Sequence, residues 1–146
     1  MIIIVNKPYG ILSQFNVNPD YPEQKTLKDL GLPPEMQPVG RLDMDSEGLL
    51  LLTDEKLFES ALMNPKRGHK RAYLVQVNGH PDKLSIDELR AGNLEIRGYL
   101  TKKCRATLLK EDPGVAERVP PVDLNACKKA SWLRMELTEG KNRQVR

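Results

Sequence analysis

Apolar and polar positions divide this chain into short elements. Ile2-Ile3-Ile4-Val5 is an unbroken apolar run closed by Asn6-Lys7-Pro8-Tyr9-Gly10, where Pro8 and Gly10 mark a turn, so it predicts a buried strand. Thr26 can cap a short helix over Leu27 to Leu30, stopped by Gly31 and Pro33-Pro34. Leu49 to Leu52 form a second strand-length apolar run, also predicted to be buried. Asp54 is a good N-cap for a helix from Glu55 to Met63, with Leu57, Phe58, Ala61 and Leu62 on one face. Residues 71–77 alternate, with Tyr73, Val75 and Val77 on one side and Ala72, Leu74 and Gln76 on the other. Asn78-Gly79 turns the chain, and Pro81 to Ala91 reads as an amphipathic helix closed by Gly92. Strands are predicted near 93–97 and 103–110. A half-buried strand is predicted over 131–138, where Leu133, Met135 and Leu137 alternate with Trp132, Arg134 and Glu136. Residues 111–130 hold three prolines and few large apolar groups, the pattern of a long loop. Hairpin-like strands with scattered helices predict the α+β class, with a mixed, mainly antiparallel central sheet flanked by short helices.

Length and composition narrow the class. A chain of 146 residues, 39% apolar and 29% charged, suits one compact domain with a real core. Its apolar runs fall well short of the ~18 residues a membrane helix needs, which predicts no membrane association. The first residues lack a basic region and a cleavage site, so no signal peptide is expected. Cys104 and Cys127 have no close spacing and read as free thiols of a reducing cytoplasm. Net charge is only +3, but the basic residues cluster at Lys66-Arg67-Gly68-His69-Lys70-Arg71, at Lys102-Lys103-Cys104-Arg105, at Lys128-Lys129 and from Lys141 to Arg146. Converging in space, they would make a phosphate-binding face; apart, they are ordinary solvated clusters.

The densest candidate chemistry lies between Val39 and Thr53, where Arg41 precedes Asp43, Asp45 and Glu47, and Gly48 opens the leucine run. A carboxylate fixed at the edge of a sheet is well placed to act as nucleophile or general base. The acids also invite a calcium reading. Counting from Asp43, however, position 12 is Asp54 instead of glutamate, four leucines fall inside the loop, and the prolines at 33, 34 and 38 oppose a preceding helix. Cys104, Cys127, His69 and His80 lack the close pairs of a zinc site. No phosphate loop and no dinucleotide fingerprint is present, and neither Ser13 nor Ser46 sits in a nucleophile elbow. What remains is carboxylate plus guanidinium, which is either a reacting pair or a structural ion pair.

Gly40-Arg41-Leu42-Asp43-x-x-Ser46-x-Gly48-Leu49-Leu50-Leu51-Leu52-Thr53 resembles the core motif of the RNA pseudouridine synthases, in the branch that acts on ribosomal RNA. Asn6-Lys7-Pro8-Tyr9-Gly10 looks like the family's first motif. Arg71-Ala72-Tyr73-Leu74-Val75 is similar to its Lys-x-Tyr-x-Val motif, with arginine in place of the lysine. Glu139-Gly140-Lys141-Asn142-Arg143-Gln144-Val145-Arg146 looks like the start of the last motif, which is expected to begin a helix. The four motifs occur in the family's order over nearly the whole chain.

The resemblance implies a catalytic domain over residues 1–146 whose C-terminal part is missing, with no S4-type RNA-binding domain because the first motif begins at residue 6. It implies isomerisation of a specific uridine in 23S ribosomal RNA without metal or other cofactor, by a cytoplasmic monomer. Asp43 matches the essential aspartate, whose attack is on the sugar C1′ or on the base. Tyr73 matches the tyrosine that packs on the target base, although without the resemblance it reads as a strand core residue. Arg146 matches the basic residue that pairs with the aspartate, and Val145 the apolar residue lining the pocket. Arg41 matches a residue that fills the gap left by the flipped base. Lys7, Lys70, Arg71 and Arg143 are expected among the RNA contacts. The rival reading is a catalytically silent RNA-binding or ribosome-assembly module on the same fold.

Overall fold

The structure, a computed structural model, describes residues 1–123 and 129–146. The chain divides into two compact units, residues 1–67 and 68–146, each with its own three-stranded sheet, a separate two-stranded pair and its own core. Antiparallel pairing dominates both, and among the described residues two α-helices accompany the strands, as expected for the α+β class.

In the first unit, β1 (Ile2–Lys7) pairs antiparallel with β5 (Gly48–Thr53), from Ile2 opposite Thr53 to Lys7 opposite Gly48. Between them in sequence come β2 (Ile11–Leu12), β3 (Lys25–Thr26), which pairs parallel with β2, and β4 (Gln37–Pro38), which pairs with the other edge of β5. Thr26 caps a 3-10 turn over Leu27–Leu30 through a reciprocal capping box with Asp29, and Gly31 ends it in a left-handed conformation with φ 68°. The core consists of Ile11, Leu27, Met36, Leu50 and Leu52.

Both apolar runs form strands, but neither is buried on both faces. Successive strand side chains point to opposite faces, so an antiparallel sheet with one covered face buries alternate residues. Leu50 and Leu52 are 3% and 0% exposed, whereas Leu49 is 69% exposed and Ile4 70%. The helix that follows, α1 (Lys56–Met63), begins one residue later than predicted, and Asp54 does not cap it. The Asp54 carboxylate instead accepts from the N-terminal ammonium at 2.5 Å, and Thr53 Oγ1 accepts from the Glu55 N–H at 3.1 Å. Leu57 also departs from the predicted face: it is exposed, while Phe58, Ala61 and Leu62 are half-buried.

The second unit is built on β10 (Ala130–Leu137), flanked by β6 (Arg71–Asn78) and β9 (Arg105–Leu108), both antiparallel to it. Its core joins Leu133, Met135 and Leu137 to Ala106 and to Ile86 of α2 (Lys83–Ala91). Asp82 caps α2 by accepting from the Ser85 N–H at 2.8 Å. The predicted strand near 93–97 is one arm of a hairpin, β7 (Glu95–Ile96) with β8 (Tyr99–Leu100). The predicted 111–130 loop is seen up to 123, and residues 124–128, including Cys127 and Lys128, lie outside the described residues.

Glu139, 8% exposed, ties the end of this unit together. Its carboxylate accepts from the Tyr99 hydroxyl, from the Lys102 N–H at 2.8 Å and from Gln144 Nε2 at 2.6 Å, while the Lys141 ammonium sits 4.1 Å from the centre of the Tyr99 ring. Residues 141–146 form a turn, not the beginning of a helix: Gln144 N–H donates to the Lys141 carbonyl at 3.1 Å, and Arg143 adopts a left-handed φ of 57° that α-helix excludes. Burial alone would raise the Glu139 pKa. The Tyr99, Lys102 and Gln144 donors outweigh it and hold the group below its ordinary 4.5.

Leu52→Ala lowers stability by about 2–5 kcal/mol and Leu49→Ala by less than about 0.5 kcal/mol, read by denaturant unfolding. A carboxylate with a depressed folded pKa gives stability that is complete above its unfolded value and lost as pH falls through the folded one. Acid titration of stability therefore shows a smaller loss below pH 4.5 in Glu139→Gln than in the unmodified chain. At neutral pH the substitution costs about 1.5–3 kcal/mol per charged hydrogen bond weakened.

Candidate functional site

The acidic loop is the connection of a hairpin. Residues 39–47 link β4 to β5, and the Val39 N–H donates to the Leu51 carbonyl at 2.7 Å to close its base. Inside the loop, the Ser46 N–H donates to the Asp43 carbonyl at 3.0 Å, the mark of a tight turn. Two residues from outside hold its shape through three hydrogen bonds. The Gly10 N–H donates to the Met44 carbonyl at 2.8 Å, and the Ser13 hydroxyl bonds to the Leu42 backbone. Asp43 is half-buried at this turn, and Arg41 is exposed.

Lys7 departs from expectation. Expected among the RNA contacts, it is fully buried, 0% exposed. Its ammonium donates to the Pro8 carbonyl at 2.9 Å and the Ile11 carbonyl at 2.8 Å, closing the turn that carries Gly10. Burial pushes its pKa down, and the carboxylates of Glu47, Asp45 and Asp43 push it back up in part. A buried ammonium committed to two carbonyls is a structural clamp and does not present itself to a phosphate. The reason is topological: Lys7 is the last residue of β1, opposite Gly48, on the core side of the sheet.

In the second unit, Tyr73 lies on the inward side of β6 with Val75 and Val77 and packs half-buried against the Leu133, Met135 and Leu137 core. Val145 packs against the same cluster, so the structure brings these two sequence-predicted residues to one core. The half-buried Arg71 guanidinium lies against Gly140, which brings the tyrosine motif beside the final motif. Lys70, Arg143 and Arg146 are exposed. In the 102–105 cluster, Arg105 faces Glu136 at 3.7 Å, and Glu136 also accepts from Arg134 at 2.5 Å, so that part is an ion network on the outer face of the sheet. Among the described residues, no three His, Cys, Asp or Glu side chains gather into a metal site, and no helix is long and apolar enough to cross a membrane. Cys104 is a free thiol.

Sequence reasoning missed Gly10, Ser13 and Glu139. Gly10 and Ser13 lie within or just after the first motif and far in sequence from Asp43, so only the strand pairing reveals what they hold. Glu139 carried a signal in its position at the head of the last motif, but its three donors come from residues as distant as Tyr99.

Comparison with known proteins identifies the family of the chain. The family model for RNA pseudouridylate synthase matches residues 1–146. The ribosomal large subunit pseudouridine synthase E of Xanthomonas axonopodis pv. citri is 40% identical over 146 residues, covering 100% of this chain and 76% of that protein. Its counterpart from Xanthomonas campestris pv. campestris is 42% identical over 146 residues, covering 100% of this chain and 77% of its own length. A solved crystal structure of pseudouridylate synthase superposes with a TM-score of 0.73 at 23% identity, over 99% of this chain and 54% of that one, and so shares the fold. The chain thus spans about three quarters of these relatives and about half of the solved structure. A full-length family match, two relatives at 40% identity or above and a common fold lead to one conclusion: the chain belongs to the RNA pseudouridylate synthase family.

Proposed function

We propose that this chain is the catalytic domain of an enzyme that isomerises a uridine of large-subunit (23S) ribosomal RNA to pseudouridine, with Asp43 as the reacting carboxylate. The observation that carries the reading is the turn around Asp43. Its backbone is pinned on both sides, at Leu42 and at Met44, so a half-buried carboxylate stands at the entry to a core strand. The family match supplies the reaction class, and the names of the Xanthomonas relatives supply the large-subunit RNA.

In this reading the bond from uracil N1 to ribose C1′ breaks, the uracil turns, and C5 bonds to C1′; C5 then gives up its proton to solvent and N1 takes one up, so the product is an isomer of the substrate. The Asp43 carboxylate forms a transient covalent bond to the substrate, at C1′ or at the base, and that bond breaks again to free the carboxylate before product leaves, which splits one hard step into two easier ones. A carboxylate beside a cation-like glycosyl centre also stabilises it directly. Tyr73 offers its half-exposed ring to the flipped uracil, and an aromatic face suits an unstacked base. Val145 adds an apolar neighbour, and Arg146 is the cation of the reaction. Arg41, Lys70, Arg71 and Arg143 are the basic groups available to RNA phosphates and to the gap the base leaves.

Tritium release from large-subunit ribosomal RNA labelled at uridine C5 tests this directly. The chain is expected to release tritium, and Asp43→Asn to lower the rate at least about 1,000-fold without weakening RNA binding, since the substitution keeps the side-chain shape and removes a negative charge that no phosphate needs. Salt-dependent RNA binding with no release above the Asp43→Asn level would favour the silent RNA-binding module instead.

A further inference from the structure

The residues that hold the acidic loop lie outside its own motif, and one of them bonds to it twice. Ser13 is 5% exposed. Its Oγ donates to the Leu42 carbonyl at 2.8 Å and accepts from the Leu42 N–H at 3.1 Å, across 29 positions of sequence. One hydroxyl carries one donor and free lone pairs, so it satisfies both backbone groups of the residue before Asp43. On the far side of Asp43, the Gly10 N–H fixes the Met44 carbonyl at 2.8 Å, and Gly10 sits at φ 79°, where a side chain would strain the turn. The backbone on either side of Asp43 is thus tied to residues 10–13.

We propose that Ser13 is a positioning residue for Asp43. It holds the Leu42 peptide groups in place and so sets the direction of the Asp43 carboxylate before RNA arrives, without touching RNA. This inference rests on the reading of Asp43 as the reacting group. Ser13 is not itself a nucleophile: its hydroxyl is buried and engaged with Leu42 as both donor and acceptor. Nothing covalent replaces the clamp when it is removed. Ser13→Ala leaves the Leu42 N–H and carbonyl without that partner, while the Gly10 bond on the side of Met44 remains. A displacement of about 1 Å at a reacting group costs on the order of 100-fold in rate, so even partial loosening is measurable.

The test compares Ser13→Ala, Ser13→Thr and Asp43→Asn with the unmodified chain. It takes kcat and KM from tritium release and reads amide hydrogen exchange at Leu42, Leu50 and Leu52. Positioning requires kcat to fall at least about tenfold in Ser13→Ala, with KM within about twofold and much of the rate restored by the hydroxyl of Ser13→Thr. It also requires the Leu42 amide to exchange at least about tenfold faster while Leu50 and Leu52 keep their protection. Unchanged Leu42 exchange in Ser13→Ala overturns the proposal whatever the turnover. A loss confined to KM, or exchange rising equally along β5, overturns it too, since the first is a binding role and the second a general loosening of the fold. Wild-type turnover in Asp43→Asn would instead remove the reading of Asp43, and Leu42 exchange would still decide whether Ser13 holds the loop.

Discussion

A buried ammonium with two carbonyl ligands organises the first half of this protein. Lys7 ends β1 on the core side and spends its charge on Pro8 and Ile11, so the chain must fold back on itself between those residues. Removing an ammonium from water is costly, and the cost is offset only where its donors are met. Here two carbonyls take two of its three donors, and three carboxylates of the acidic loop favour the charged form. The turn so closed delivers the Gly10 N–H and the Ser13 hydroxyl to the two sides of Asp43. The clamp, the turn and the loop form one chain of cause, from a β1 residue to the carboxylate that would do chemistry.

The second unit uses the opposite charge in the same way. Glu139 is a buried carboxylate surrounded by donors: a tyrosine hydroxyl from one hairpin, a backbone N–H from the following segment and a glutamine from the final motif. The final motif is therefore tied to the body of its unit at its head through Glu139 and near its end through Val145, which packs on the core. Between these two anchors Arg143 turns the chain, and Arg71, two residues before Tyr73, lies against Gly140. In both units a buried charge with several hydrogen-bond partners orders a segment that is otherwise polar and turn-rich, which apolar packing alone would not do.

Much of this was legible in the sequence. The alternation of 71–77 and 131–138 gave both strands and the correct inward faces, because a period of two leaves one solution when one face is covered. Thr26 and Gly31 announced their turn, and the four motifs announced the family. Unbroken apolar runs misled, since Ile2 to Val5 and Leu49 to Leu52 suggested burial on both faces, and only pairing reveals that one face stays open. Asp54 misled as a cap because the N-terminal ammonium, which lies far off in sequence, took its carboxylate. Lys7 misled most. A lysine in a turn motif reads as a surface charge, and its burial follows from strand register, which no local pattern records.

Lys7 acts either through the loop or on the RNA, and Lys7→Met separates the two. RNA affinity and its salt dependence, measured beside kcat, give the answer. The structure predicts that the variant binds RNA with unchanged affinity and an unchanged salt slope, while kcat falls as the Asp43 loop loosens. A phosphate contact would instead lower affinity and reduce the salt slope by about one charge. That result, with kcat preserved, would contradict the clamp and return Lys7 to the RNA-binding surface.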